Sequence, residues 1–118
     1  MFLNNWSNFE EMKREFWPGY TPESVYKDEL DGVEILLASY GTPSCEGHAF
    51  VLFVRDGKLY EVNASHCSCY GLEEQWAPEE TEKCFLQYRM TKGSFGTGKY
   101  DENPFATELK QILDNMEI

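Results

Sequence analysis

The sequence predicts an α+β fold: an antiparallel sheet of at least three strands, with N-terminal and C-terminal helices packed on it. Three observations predict it. Apolar residues recur at helical spacing near both ends, over residues 9–17 and 107–116. Between them, two apolar runs flank Asp56-Gly57, a dipeptide suited to a type I′ hairpin turn because both central residues need φ > 0. The 118 residues are 42 % hydrophobic and 15 % aromatic, enough for one folded domain over residues 1–118 and too apolar for disorder.

The elements follow in order. Asn8 or Ser7 caps a first helix, Glu10 and Glu11 sit at its positive end, and Pro18-Gly19 stops it. Phe9, Met12 and Phe16 make its apolar stripe, with Trp17 beside them. Thr21-Pro22-Glu23-Ser24 opens a second short helical or irregular piece, and Asp31-Gly32 turns the chain. Residues 33–40 then read as a mostly buried strand. After a loop at 41–44, residues 48–55 and 58–63 form the hairpin. Residues 71–76 and 78–90 read as helical, the second with Pro78 in its first turn and acids at its start. Residues 93–103 are a Gly-rich loop. Leu109, Ile112, Leu113 and Met116 give the closing helix, expected to cover the sheet, one apolar face.

Charge sets the classes of partner. Ten basic residues stand against 21 acidic ones, a formal net charge of −11. Such a surface repels nucleic acid and anionic membranes and favours a basic protein partner. The acids concentrate at Glu73, Glu74, Glu79, Glu80 and Glu82, the candidate partner-binding face. No apolar run approaches the roughly 20 residues that span a bilayer. The start, Met1-Phe2-Leu3-Asn4-Asn5-Trp6, lacks the basic and apolar regions of a secretory signal, so a cytoplasmic location is expected. Cysteines there are free thiols or ligands rather than disulfides. In a secreted protein two bridges would be possible, although Cys67 and Cys69 are too close to pair easily with each other.

Between Cys45 and Cys69 the chain gathers both histidines and three of its four cysteines: Cys45-Glu46-Gly47-His48 before the hairpin strand, Ser65-His66-Cys67-Ser68-Cys69 after it. Imidazole and thiol bind zinc and do nucleophilic chemistry near neutral pH. Cys45, His48, Cys67 and Cys69, with His66 as an alternate, are candidate zinc ligands, with either zinc or no cofactor expected. With Asp56-Gly57 as the turn, Arg55 faces Lys58 and Phe50 faces Asn63. His48 and Asn63 then share one face as diagonal neighbours, and residues 65–70 are expected to fold back toward Cys45.

Two resemblances add to this. The stretch from Gly47-His48-Ala49-Phe50 to Tyr60-Glu61-Val62-Asn63 resembles the His and Asp/Asn strands of papain-like cysteine hydrolases, the ubiquitin C-terminal hydrolases being closest in spacing. Those enzymes place the nucleophile upstream at a helix start; here only Cys45 precedes His48. The resemblance therefore implies a permuted site using Cys69 or Cys67 with His48 and Asn63, the thiol lying just before the helix expected at Gly71. Residues 65–81, Ser-His-Cys-Ser-Cys-Tyr-Gly-Leu-Glu-Glu-Gln-Trp-Ala-Pro-Glu-Glu-Thr, resemble a segment of a family of small proteins encoded by tailed bacteriophages. That resemblance implies an accessory phage protein acting in the bacterial cytoplasm, of a kind that often binds and inhibits a host defence or nucleic-acid-handling factor. Three functions therefore fit: a host-protein binder, which the charge favours, a thiol hydrolase, and a zinc-stabilised interaction domain.

Overall fold

The computed structural model describes residues 1–41, 47–66, 71–93, 95–96 and 103–116. Its elements run β1 (Phe2–Asn4), α1 (Phe9–Phe16), α2 (Glu23–Leu30), β2 (Glu34–Gly41), β3 (Gly47–Arg55), β4 (Lys58–His66), β5 (Glu79–Glu80), α3 (Lys83–Lys92) and α4 (Ala106–Asp114). The strands form one sheet in the order β1-β2-β3-β4-β5, so the fold is α+β. The sheet is mixed, which corrects the purely antiparallel expectation. β1 runs parallel to β2, with Phe2 opposite Ala38 and Asn4 opposite Tyr40. Three residues are too few to show a period of two. Backbone bonds from Ala38 N–H to the Met1 carbonyl and from Asn5 N–H to the Tyr40 carbonyl hold this edge.

The hairpin has the register expected from its turn. Arg55 faces Lys58, Phe50 faces Asn63, and Asp56 and Gly57 have φ of 54° and 76°. β3 is the central strand and is covered on both faces, so Ala49 to Phe53 are all buried and read as an unbroken apolar run. One face carries Ala49, Val51, Phe53, Val62 and Ala64, and Met12 and Phe16 of α1 pack on it with Trp6 and Leu72. The other carries Leu37, Phe50, Leu52 and Leu59. Leu86 of α3 and Leu109 and Leu113 of α4 close it, as the apolar face of the last helix requires. β2 serves both layers through a bulge: Ile35 opposes Phe53, but Leu37 opposes Leu52, leaving Leu36 as the extra residue.

Local chemistry sets the helix ends. The Asn8 side chain accepts the Glu11 N–H at 3.0 Å, and the Glu11 carboxylate reaches back to the Ser7 N–H at 2.7 Å. Residues 71–78 are not helical, contrary to expectation, and α3 begins at Lys83. Pro78 disfavours a helical Ala77. The edge of β4 takes up Glu79 and Glu80 opposite Glu61 and Tyr60, and the Thr81 N–H bonds the Leu59 carbonyl at 2.9 Å. That pairing outweighs the helix preference of two glutamates. Among the described residues, no helix is long and apolar enough to cross a membrane.

Candidate functional site

His48 and Asn63 lie on the same face of the hairpin, as the register demands, since His48 opposes Ser65 and Phe50 opposes Asn63. Both are exposed and line a cleft of about 200 Å³ with Phe50, Arg89, Phe95 and Asn103. The Asn63 amide is engaged from below: its Nδ2 donates to Glu61 Oε1 at 2.7 Å.

Cys45, Cys67 and Cys69 lie outside the described residues, as does the expected return of the loop toward Cys45. Their flanks do not. Gly47 opposes His66, so β3 begins where β4 ends, and the segments carrying these cysteines join neighbouring strands at one end of the sheet. His48 and His66 leave the sheet on opposite faces, because His48 opposes Ser65 and alternation reverses one residue on. The His66 ring stands edge-on to Tyr40 at 6.4 Å on the α1 side, and its Nδ1 is buried without a hydrogen-bond partner among the described residues. Burial pushes the Tyr40 phenol up to about 12, helped by the charges of Glu15 and Glu73, so it remains neutral at physiological pH. Burial also raises the Glu15 carboxyl, His66 partly offsets this, and Glu73 adds to it. Among the described residues, no group of three or more His, Cys, Asp or Glu is arranged to hold a metal ion.

Beneath the cleft is an ion pair that sequence reasoning missed. Glu61 is only 5 % exposed, and Arg89 Nη1 reaches its two oxygens at 2.7 and 2.8 Å. Burial alone would raise this carboxyl, but the bonds from Arg89 and Asn63 and the guanidinium charge hold it below the usual range. Period-two alternation from the apolar Leu59 marks Glu61 as inward-facing, and a buried carboxylate needs a cation. Nothing in the spacing identifies Arg89 as that cation. Arg89 in turn lies over the rings of Phe95 at 4.0 Å and Phe85 at 5.2 Å.

The segment at residues 71–81 is an extended strap. The Gln75 amide acts as a substitute strand on the edge of β4. It accepts the Ser65 N–H at 3.0 Å and donates to the carbonyls of Ser65 and Gly71, both at 2.7 Å. Trp76 stacks on Phe53 at 5.6 Å and meets Phe16 edge-on at 5.1 Å. With these inward residues fixed, Glu73, Glu74, Glu79, Glu80 and Glu82 are all exposed. Glu79 and Glu80 form β5, the edge strand of the sheet opposite β1. Among the described residues the ion pairs are Lys13–Glu10, Arg89–Glu61 and Lys110–Asp114, so these five carboxylates have no cationic partner there. Glu73 accepts the Gly71 N–H at 3.2 Å, and the exposed Cys84 thiol donates to Glu82 at 3.5 Å. Comparison with family models, curated proteins and solved structures gave no match.

Proposed function

We propose that this chain is a non-enzymatic binding protein whose acidic sheet edge docks a basic protein. The observation that carries the reading is the set of five exposed carboxylates, unmatched by a cation among the described residues, on and beside the outer strand. Fields of one sign steer association and reject like-charged polymers such as DNA and RNA. The resemblance of residues 65–81 to small phage proteins supports a bacterial host protein as the partner and inhibition of that protein as the outcome. The test is affinity capture from bacterial lysate with wild type and with the Glu79→Lys/Glu80→Lys variant, followed by binding of the purified partner. A basic protein bound by wild type and lost by the variant is expected. Measurable affinity for DNA or RNA at physiological salt overturns the reading.

A second reading is supported by the pairing of Gly47 with His66. Residues 42–46 lead into β3 at Gly47 and residues 67–70 follow β4 at His66, a connectivity that supports a zinc-stabilised interaction domain drawing on Cys45, His48, Cys67 and Cys69 and compatible with the first reading. The hydrolase alternative needs a thiol beside His48 and Asn63, and its candidates Cys67 and Cys69 lie outside the described residues. Zinc analysis of protein purified without chelator tests this second reading.

A further inference from the structure

We propose that α2, with the turns on either side of it, is a detachable flap: it opens while the sheet and the other helices stay folded, and its opening uncovers Trp17. The proposal is independent of the acidic-edge reading. α1 gives Met12 and Phe16 to the core, α3 gives Leu86, and α4 gives Leu109 and Leu113. α2 gives nothing: none of its eight residues is buried, and none belongs to the two core clusters or packs against them. Tyr26 and Leu30 are half-buried, Val25 is 56 % exposed, and Tyr20 in the preceding turn is 84 % exposed. Segments with few buried apolar contacts open at a lower free energy than the core they lie on.

The flap is held by contacts near the surface. The Tyr26 ring lies 5.5 Å from that of Trp17, and Lys13 Nζ stands 5.3 Å from its centre. Arg55, at the end of β3, donates to the carbonyls of Asp28 at 3.1 Å and Glu29 at 3.4 Å, in the last turn of α2. Ring pairs and cation–π contacts of this kind are individually weak at exposed sites. Without them the helix does not persist. Eight residues are too few for a stable isolated helix in water, and the Pro22 N-cap gives the first turn no side-chain bond. Opening therefore melts α2 rather than swinging it out intact. Its two ends are free to change: Gly19 and Gly32 flank the segment, and nothing lies within 4 Å of where either would carry a side chain. Trp17 is what the flap covers. Its other ring neighbours, Phe16 at 6.1 Å and Trp76 at 5.2 Å, stay with the core of that face. Lifting Tyr26 away leaves the Trp17 ring at the surface, continuous through Trp76 with Phe53 and Tyr60.

The test is amide hydrogen exchange of the full chain across low urea concentrations, with hydroxyl-radical footprinting of the tryptophans, both read by mass spectrometry. Residues 23–30 are expected to be protected, yet to exchange at least about a hundredfold faster than β3. Exchange in α2 should be indifferent to urea below the unfolding transition, because its opening exposes little surface, whereas exchange in β3 should rise steeply. Arg55→Gln removes one attachment without touching Trp17. It should speed exchange in α2 at least about threefold and raise oxidation of Trp17, with Trp6 unchanged. Lys27→Pro, a proline in the middle of α2, should abolish protection there and leave β3 protected. A common rate and urea dependence for α2 and β3, or global unfolding of Lys27→Pro, places α2 in the cooperative core and overturns the proposal. So does wild-type α2 without protection, since a segment that never shuts is no flap. Trp17 oxidation equal in wild type, Arg55→Gln and Lys27→Pro overturns the covering role.

Discussion

At the scale of single residues, Glu61 and Arg89 carry the largest electrostatic stake. Their pair joins β4 to α3 across 28 residues of chain. Removing the cation leaves a carboxylate stranded at 5 % exposure. Arg89→Met is therefore expected to cost about 3 kcal/mol, measured by urea unfolding. The pH dependence has a definite sign. The folded carboxyl titrates below its ordinary value of 4.5, so its contribution is complete above that value and disappears as pH falls through the lower folded one. Between pH 6 and pH 3, wild type should lose more stability than Glu61→Gln; parallel losses would refute the assignment. Half of this feature was legible in the sequence. Strand alternation places Glu61 on the Leu59 side, but helix periodicity says only that Arg89 is on α3, and which helix packs on which face is a property of the assembled layers. His48 and Asn63 were legible together because one turn fixes the whole register between them.

The elements show where local pattern prevails and where pairing overrides it. α1 and α4 follow their apolar spacing, burying Met12 and Phe16 in one and Leu109 and Leu113 in the other. Residues 71–81 do not follow theirs, because the open edge of β4 offers hydrogen bonds that a short helix could not replace. Gln75 is the test of that account. Gln75→Ala removes three hydrogen bonds and should cost about 1–3 kcal/mol, with faster amide exchange at Ser65. Gln75→Glu keeps an acceptor for the Ser65 N–H and loses both donors, so that amide should stay protected while stability still falls. Equal exchange in all three proteins would show that the strap is held by Trp76 and Leu72 alone. Gly96 makes a similar case for the second face. Its φ is +75°, a Cβ there would come within 2.9 Å of the Phe105 ring, and its carbonyl accepts the N–H groups of Phe105 and Ala106 at 2.7 and 2.8 Å. Gly96→Ala should cost at least about 1 kcal/mol in a thermal melt. A glycine in a loop is visible in any sequence; the ring against which it sits is not.

For the whole molecule, the balance of charge and the placement of the cysteines make separate demands. A net charge of −11 repels itself in the compact state, so screening should raise the melting temperature between about 0.01 and 0.15 M salt. Closed coordination of zinc would add stability of a different kind, insensitive to salt and lost to chelator. The pairing of Gly47 with His66 makes the second contribution testable through the histidines. They leave the sheet on opposite faces, so one ion held at this end takes one of them without the other. Under the second reading, protein purified without chelator carries about one zinc per chain. His48→Ala and Cys67→Ser/Cys69→Ser should then lose the metal together with the chelator-sensitive part of the melt. His66→Ala should retain it. Metal lost only by His66→Ala would move the site to the α1 face, beside Glu15, Tyr40 and Glu73. Metal absent from wild type, with a melt indifferent to chelator, would remove the second reading and leave the acidic edge as the surface that matters.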